Sequence, residues 1–372
     1  MKKILVAAGG TGGHLFPAIA VVEKLKELQG NEIDFQFFGR IDKIEGRIVP
    51  ALGYKLHSTH LTGLVKTFSL NTFKLPFQIL HSVNKLKKII KQENIDAVLC
   101  AGAYLSYPAG LAGSMCKKKL FLMESNVNPG KAINWLSNRA DVIFTTFDET
   151  KNYFNEATVK KIKLTGNPVR KQILNEFNKI NEVNKNEISK EQTIEKFGLK
   201  KGKPIVLIFG GSLGATVLNN AVLNSLEMFA KSNFQVIWQT GEKNNIDISL
   251  PENVKLISFI DDMASAYFAA DLVVSRSGAA TVAELCIVGK PSILVPLPSA
   301  SNNEQYFNAK YLETHNAAIL INNDDISKKM YIAINDLLSD TEKLNQISVS
   351  AKKLAKPTAN EIIAKEILKY IM

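Results

Sequence analysis

The stretch ADLVVSRSGAATVAELCIVGKPSILVPLPSASNNEQ, residues 270–305, decides the fold class. Leu272-Val273-Val274-Ser275 is a short apolar run of strand type, and Arg276-Ser277-Gly278 interrupts it before Ala279–Leu285, whose composition is helical. A second apolar run, Ile293-Leu294-Val295-Pro296, follows, and a polar loop ends in Glu304-Gln305. Strand, turn, helix and strand in this order make a βαβ unit, the building block of a parallel α/β sheet. The turn from a strand's carboxyl end into a helix's amino end presents unpaired N–H groups and the positive end of the helix dipole, where an anion is held. Glu284 falls about a turn and a half into that helix. There one carboxylate can accept hydrogen bonds from both hydroxyls of a ribose, and Glu304-Gln305 can reach sugar hydroxyls. An ordinary crossover with a solvent-facing Glu284 carries the same pattern.

Upstream, the pattern occurs twice more. Pro204–Phe209 reads as a strand, Gly210-Gly211-Ser212-Leu213-Gly214-Ala215 as a glycine loop and Thr216–Lys231 as its helix. At the amino end, the strand Ile4–Ala8 runs into Gly9-Gly10-Thr11-Gly12-Gly13-His14, and a helix is expected from Pro17 to Leu28. This is not the dinucleotide fingerprint: GxGxxG from Gly10 would need glycine at Leu15, and the strand Asp34–Phe38 ends in Gly39-Arg40 without the ribose-binding acid. No GxxxxGK[ST] occurs either, so a dehydrogenase or P-loop enzyme is disfavoured.

Further strands are predicted at Ala97–Cys100, Leu120–Met123, Val142–Thr146, Val236–Gln239 and Val254–Ile257. Loops holding Tyr104 and Ser106, and then Glu124-Ser125-Asn126, follow two of them, so polar groups gather at the sheet edge where open α/β sheets bind ligands. Gly166-Asn167-Pro168-Val169-Arg170 reads as a hinge. The expectation is an α/β chain of two Rossmann-like parallel-sheet domains facing each other across a cleft, residues 1–165 and 166–356, with a terminal helix at about 357–372 packing back on the first. Asp261-Asp262 is expected to cap a helix rather than bind metal, and no Asp-x-Asp element is present.

The composition is that of a soluble globular protein, with 372 residues, 46% hydrophobic and 22% charged. No run approaches the roughly 18 to 20 apolar residues that span a bilayer, and the apolar start after Met1-Lys2-Lys3 is too short for a signal peptide. A cytoplasmic protein is expected. Three cysteines without CxxC spacing point to buried thiols. Net charge is +11, and residues 1–165 carry most of it, with 23 Lys and Arg against 13 Asp and Glu. That half is expected to meet an anionic partner, nucleic acid or membrane. Residues 64–91 hold six lysines and no acid, interleaved with Phe68, Phe73, Phe77, Ile79 and Leu80 beside Lys74, which suits a peripheral membrane patch. The core face of a helix with a solvated basic back suits the same stretch.

In order and spacing, GGTGGH at 9–14, GAYLSYP at 102–108, ESN at 124–126, GNPVR at 166–170, GGSLGA at 210–215, FIDDM at 259–263, RSGAATVAE at 276–284 and NNEQ at 302–305 resemble the MurG family of bacterial N-acetylglucosaminyltransferases over nearly the whole chain. The resemblance implies a GT-B fold. It implies UDP-N-acetylglucosamine (UDP-GlcNAc) as donor and, as acceptor, the 4-hydroxyl of N-acetylmuramic acid (MurNAc) in undecaprenyl-pyrophosphoryl-MurNAc-pentapeptide, so that lipid I becomes lipid II. It further implies that the Ile260 backbone reads uracil, with Arg276 and Ser277 beside the nucleotide and Glu284 on the ribose. Ser212, Leu213 and Gly214 would hold the diphosphate with Arg170 near it, and Gln305, the Ala279 amide and Asn126 the GlcNAc. Thr11, Gly12 and Gly13 are placed with the donor. His14, Tyr104, Ser106 and Glu124 would line the acceptor side, with His14 or Glu124 as the base. Met123 and Ser125 depart from the His-Glu-Gln-Asn common in the family, and Ser299 stands near where a histidine is often found.

The implied chemistry is displacement of UDP at an acetal carbon with inversion, the glycine-loop amides taking up negative charge without a metal or other cofactor. The implied location is peripheral, on the cytoplasmic face of the cell membrane, beside other cell-wall synthesis proteins and without nucleic acid. A diacylglycerol glycosyltransferase, a UDP-GlcNAc 2-epimerase and a non-catalytic nucleotide- or RNA-binding protein are the alternatives.

Overall fold

A computed structural model describes residues 1–59, 61, 70–175, 190–211, 213–242, 244 and 246–372, with the main chain alone over 70–74. Ser212 and Phe68 lie outside the described residues, as do the side chains of Phe73 and Lys74. The chain divides into two compact units, Met1–Arg170 with Lys356–Met372, and Lys171–Ala355.

The first unit is built on seven parallel strands: β1 (Lys2–Ala7), β2 (Ile33–Gly39), β3 (Lys55–Ser58), β4 (Ala97–Cys100), β5 (Lys119–Glu124), β6 (Val142–Thr145) and β7 (Ile162–Leu164). Their spatial order is β3-β2-β1-β4-β5-β6-β7. Because both faces are covered, the strands read as unbroken apolar runs whose alternate residues serve different layers. Ile4, Val6, Phe37 and Phe121 pack with Val21, Val22 and Leu25 of α1 (Gly12–Gln29) and with Ile363, Ile367 and Ile371 of the C-terminal helix, Ala359–Ile371. Leu5, Ala7, Phe38 and Leu122 face the other way, onto the second core layer. That layer holds Val83, Leu86 and Ile90 of α3 (Leu70–Gln92), Ala109 and Ala112 of α4 (Ser106–Met115), and Ile133 and Leu136 of α5 (Lys131–Leu136). Burying one such Leu or Ile contributes about 1.5–3 kcal/mol. The C-terminal helix is also tied by charge, since Glu366 accepts from Lys163 Nζ of β7 at 2.7 Å and from Lys369 Nζ at 2.8 Å.

The edge strands β3 and β7 are short, and their lysines mask the apolar pattern that marks the central strands. His57 therefore belongs to a strand, its Nε2 lying 2.7 Å from Gln36 Oε1. Helix α1 begins at Gly12, five residues before Pro17, so His14 sits in a helical first turn and not in an open loop.

In the second unit β8 (Ile205–Phe209), β9 (Gln235–Gln239), β10 (Val254–Ile257), β11 (Leu272–Ser275), β12 (Ser292–Leu294) and β13 (Ile319–Leu320) are all parallel. Their order is β10-β9-β8-β11-β12-β13. Numbered within the unit, that is 3-2-1-4-5-6, the Rossmann order. Connecting helices include α6 (Thr216–Ala230), α7 (Met263–Ala269), α8 (Ala279–Val288), α9 (Glu304–Thr314) and α10 (Ile326–Ser339). Val206, Ile208, Trp238 and Val274 pack on Leu218, Val222 and Phe229 of α6 and on Met330 and Ile334 of α10. Asp262 caps α7, its Oδ1 accepting from Ser265 N at 3.1 Å. Each sheet reverses direction beside its first strand, between β1 and β4 and between β8 and β11, the switch points where such sheets bind ligands.

Candidate functional site

At the switch point of the first unit, α1 carries His14 to the carboxyl edge of the sheet. Its Nδ1 lies 3.0 Å from Thr11 Oγ1, and its ring rests against Gly102, just beyond β4. A Cβ at Gly102 would fall 2.6 Å from His14 Cδ2 and 3.0 Å from Nε2, and the residue has φ +79°, so glycine both makes the bend and leaves room for the imidazole. Burial lowers the His14 pKa to about 4, leaving the ring neutral at pH 7. Tyr104 stands over Gly10, where an added Cβ would be 3.4 Å from its ring. Burial raises the Tyr104 phenol pKa, against the opposing pull of Arg40.

Two expectations change here. Ser106 is fully buried, its hydroxyl donating to the carbonyls of Gly102 and Ala7, so it braces the strand ends and presents no surface to a ligand. Glu124 is buried and holds the following loop: Oε1 accepts from Asn126 N at 2.9 Å and Nδ2 at 3.3 Å, and Oε2 from Gly130 N at 2.8 Å. A carboxylate committed to amides in this way is a loop anchor. Asn126 belongs to that loop and is buried. Arg170 ends the first segment of the first unit, next to Lys171 of the second.

At the switch point of the second unit, the glycine loop leaves β8 beside the turn that leaves β11. Gly214 has φ +74°, and a Cβ there would fall 1.9 Å from Thr240 O, so the loop seats against Thr240-Gly241 only with glycine. Leu213 is 74% exposed. Nothing stands within 4 Å of a Cβ built at Gly211 or Gly278, so both turns have open space before them. Gln239, at the end of β9, links the two sides: Nε2 donates to Gly211 O at 3.0 Å, and Oε1 accepts from Ile260 N at 3.0 Å. The Ile260 N–H is thus engaged within the protein.

Arg276 is buried, and its Nη1 donates to Val295 O, Pro296 O and Asn323 Oδ1 at 2.9–3.1 Å, fastening the ends of β12 and the 323 region to its own turn. Burial lowers its pKa. Ser277 Oγ donates to Gln305 O at 2.8 Å, and Gln305 Oε1 accepts from Leu297 N at 3.0 Å. The sequence-predicted Arg276, Ser277 and Gln305 are therefore brought together, with Arg276 bonded to the lining of a cavity of about 420 Å³ formed by Pro296, Asn303, Tyr306 and Asn323. Glu284 is buried in α8 and accepts from Tyr267 OH at 3.1 Å, which fixes one carboxylate oxygen. Gln239, Tyr267 and Glu45 escaped the sequence reading. The available signal was a polar residue ending an apolar strand at Gln239, and glycines at 9 and 39 for Glu45.

The glycosyltransferase family 28 N-terminal domain matches residues 4–145 and its C-terminal domain residues 205–363. A relative in Christiangramia forsetii, named UDP-N-acetylglucosamine–N-acetylmuramyl-(pentapeptide) pyrophosphoryl-undecaprenol N-acetylglucosamine transferase, is 34% identical over 99% of this chain and 98% of its own. This chain belongs to glycosyltransferase family 28. A relative of the same name in Finegoldia magna is also 34% identical, over 99% of this chain and 98% of its own. The crystal structure of Acinetobacter baumannii MurG superposes with a TM-score of 0.75 at 26% identity, covering 99% of this chain and 100% of that one. The UDP-GlcNAc 2-epimerase of Neisseria meningitidis, solved with UDP-GlcNAc, has a TM-score of 0.66 at 16% identity over 99% and 100% of the two chains, a likeness of fold alone. This family 28 glycosyltransferase is thus a hexosyltransferase of GT-B fold.

Of the basic stretch 64–91, residues 75–91 are described with their side chains. Leu75 and Ile79 of α3 pack on the core, so Ile79 leaves the expected membrane patch: in a helix its position shares a face with Val83 and Leu86. Phe77 and Leu80 are 75% and 59% exposed on the other side, among Lys85, Lys88 and Lys91. No helix among the described residues is long and apolar enough to cross a membrane.

Proposed function

We infer that this chain moves GlcNAc from UDP-GlcNAc to the 4-hydroxyl of MurNAc in undecaprenyl-pyrophosphoryl-MurNAc-pentapeptide, converting lipid I to lipid II in peptidoglycan synthesis. The observation that carries this reading is the bond that draws Gln305 onto the Ser277 turn at the switch point of the second unit, in a chain that matches named transferases end to end.

In the proposed mechanism the acceptor O4 attacks the anomeric carbon of GlcNAc, and the bond from that carbon to the β-phosphate oxygen breaks, its electron pair leaving with UDP. The amides of the 210–214 loop and the amino end of α6 stabilise the charge on the leaving diphosphate, with no metal required. The Glu284 carboxylate, oriented by Tyr267, takes the ribose hydroxyls. His14 takes the proton from O4. When Nδ1–H donates to Thr11 Oγ1, Nε2 keeps its lone pair for that proton. A diphosphate bound beside the ring raises its pKa from about 4 toward the working pH, because a nearby negative charge favours imidazolium. Phe77 and Leu80 enter the headgroup region while the lysines of α3 meet anionic lipid, which brings the first unit to the cytoplasmic face of the membrane where a polyprenyl acceptor lies.

The test is UDP release from UDP-GlcNAc by the purified chain, with and without a lipid I analogue of shortened prenyl length. Release only with the analogue, accompanied by a disaccharide product, is expected. Release without acceptor would replace this reading with hydrolysis or 2-epimerisation of the donor.

A further inference from the structure

Glu45, in the first turn of α2 (Ile44–Ala51), has no exposed surface, and none of the reaction steps above uses it. Its Oε2 accepts from Gly10 N at 2.9 Å and its Oε1 from Arg40 N at 3.0 Å. Those amides follow the carboxyl ends of β1 and β2, neighbouring strands that pair Ala7 with Phe38. One carboxylate therefore joins two loops at the candidate acceptor edge. The chain makes room for it twice. A Cβ at Gly9 would lie 2.5–2.8 Å from the Glu45 carboxyl atoms, and one at Gly39 would lie 2.5 Å from its Cγ.

What the two loops carry is the reason to look further. The first leads to Thr11 and His14 and lies under Tyr104. The second carries Arg40, whose Nε donates to Asp42 Oδ1 at 2.8 Å and Nη1 to Leu61 O at 3.2 Å, with the Tyr104 phenol close by. A buried carboxylate is a costly filler, and an apolar side chain would occupy the space with less desolvation. Its two amide bonds do what an apolar side chain cannot, which is to hold the loops in register with each other.

We propose that Glu45 is a positioning residue for the acceptor, holding the His14 loop and the Arg40–Tyr104 pair in the arrangement that receives the lipid-linked diphosphate sugar. This rests on the transferase reading above. Glu45→Gln keeps the shape but turns an amide N–H donor toward one of the two backbone donors, so one loop is released.

The experiment uses the full chain, with initial rates against UDP-GlcNAc and against the lipid I analogue, and hydrogen exchange at Gly10 and Arg40. Glu45→Gln is expected to lower kcat/KM for the analogue at least tenfold and to speed exchange at one of the two amides, Gly10 or Arg40, while KM for UDP-GlcNAc stays within twofold. Gly9→Ala, which presses a methyl group on the same carboxylate, is expected to reproduce the acceptor defect and serves if Glu45→Gln does not fold. Acceptor kinetics within twofold of wild type in either variant, or an equal loss toward UDP-GlcNAc, would overturn the inference. A wild-type chain that transfers nothing to the analogue would refute the transferase reading and this inference with it. Normal wild-type transfer beside an unaffected variant would refute this inference alone.

Discussion

His14 shows how much one side chain's setting decides. The sequence places it at the end of a glycine loop, but the helix starting at Gly12 and the missing Cβ at Gly102 determine that its ring is half-buried against Gly102 and its pKa falls to about 4. A pKa lowered below the unfolded value of 6.5 means that the unfolded chain binds this proton first as pH falls. His14 therefore adds nothing to the pH dependence of stability above about pH 6.5 and costs stability progressively from there down to about 4. Urea unfolding at pH 7 and at pH 5 should show a smaller loss on acidification for His14→Gln than for wild type. As the base, His14 should lower kcat a hundredfold or more when changed to Ala. A loss under about tenfold, roughly 1.4 kcal/mol of barrier, would leave it no such role. Glu284 invites a finer substitution. Glu284→Ala should raise KM for UDP-GlcNAc more than Glu284→Gln, which keeps an oxygen for Tyr267 OH.

At the scale of elements, β9 and α3 illustrate opposite limits of pattern reading. Strand β9 is legible as QVIWQ, but the use of its last residue is not, because Gln239 acts through Gly211 and Ile260, remote in sequence and adjacent only across the sheet edge. Gln239→Leu should leave a buried N–H and a carbonyl unpaired. That costs about 1–3 kcal/mol in unfolding free energy and weakens UDP binding, measurable by denaturation and by titration calorimetry. In α3 the composition raised both a membrane patch and a core face, and the described side chains divide between a buried face and an exposed one. Ile79 turns inward at the spacing of Val83 and Leu86, whereas Phe77 and Leu80 turn outward. Phe77→Glu with Leu80→Glu should reduce binding to vesicles containing anionic lipid, read by co-sedimentation, and leave UDP-GlcNAc affinity unchanged. Raising the salt from 0.1 to 1 M should weaken wild-type binding too, since the Debye length shrinks from about 10 to about 3 Å.

For the whole molecule, the two units have separate cores, and the last helix belongs to the first of them. Truncation after residue 356 should lower the unfolding temperature of the first unit, exposing Ile363, Ile367 and Ile371 partners, while UDP binding by the second unit persists. Scanning calorimetry with and without UDP would separate the two transitions. The apolar runs, the glycine loops and the basic first half are local properties of the chain, and they sufficed for an α/β architecture and for the family. Strand composition and loop chemistry act between residues near in sequence, so a single chain displays them. The roles of Ser106, Glu124, Ile79 and Glu45 were decided elsewhere. Each depends on which backbone amide, carbonyl or apolar layer lies opposite, and Glu45 meets Gly10 from 35 residues away only because β1 and β2 pair. Hydrogen-bond partners and burial are properties of distance in space, which tertiary structure alone assigns.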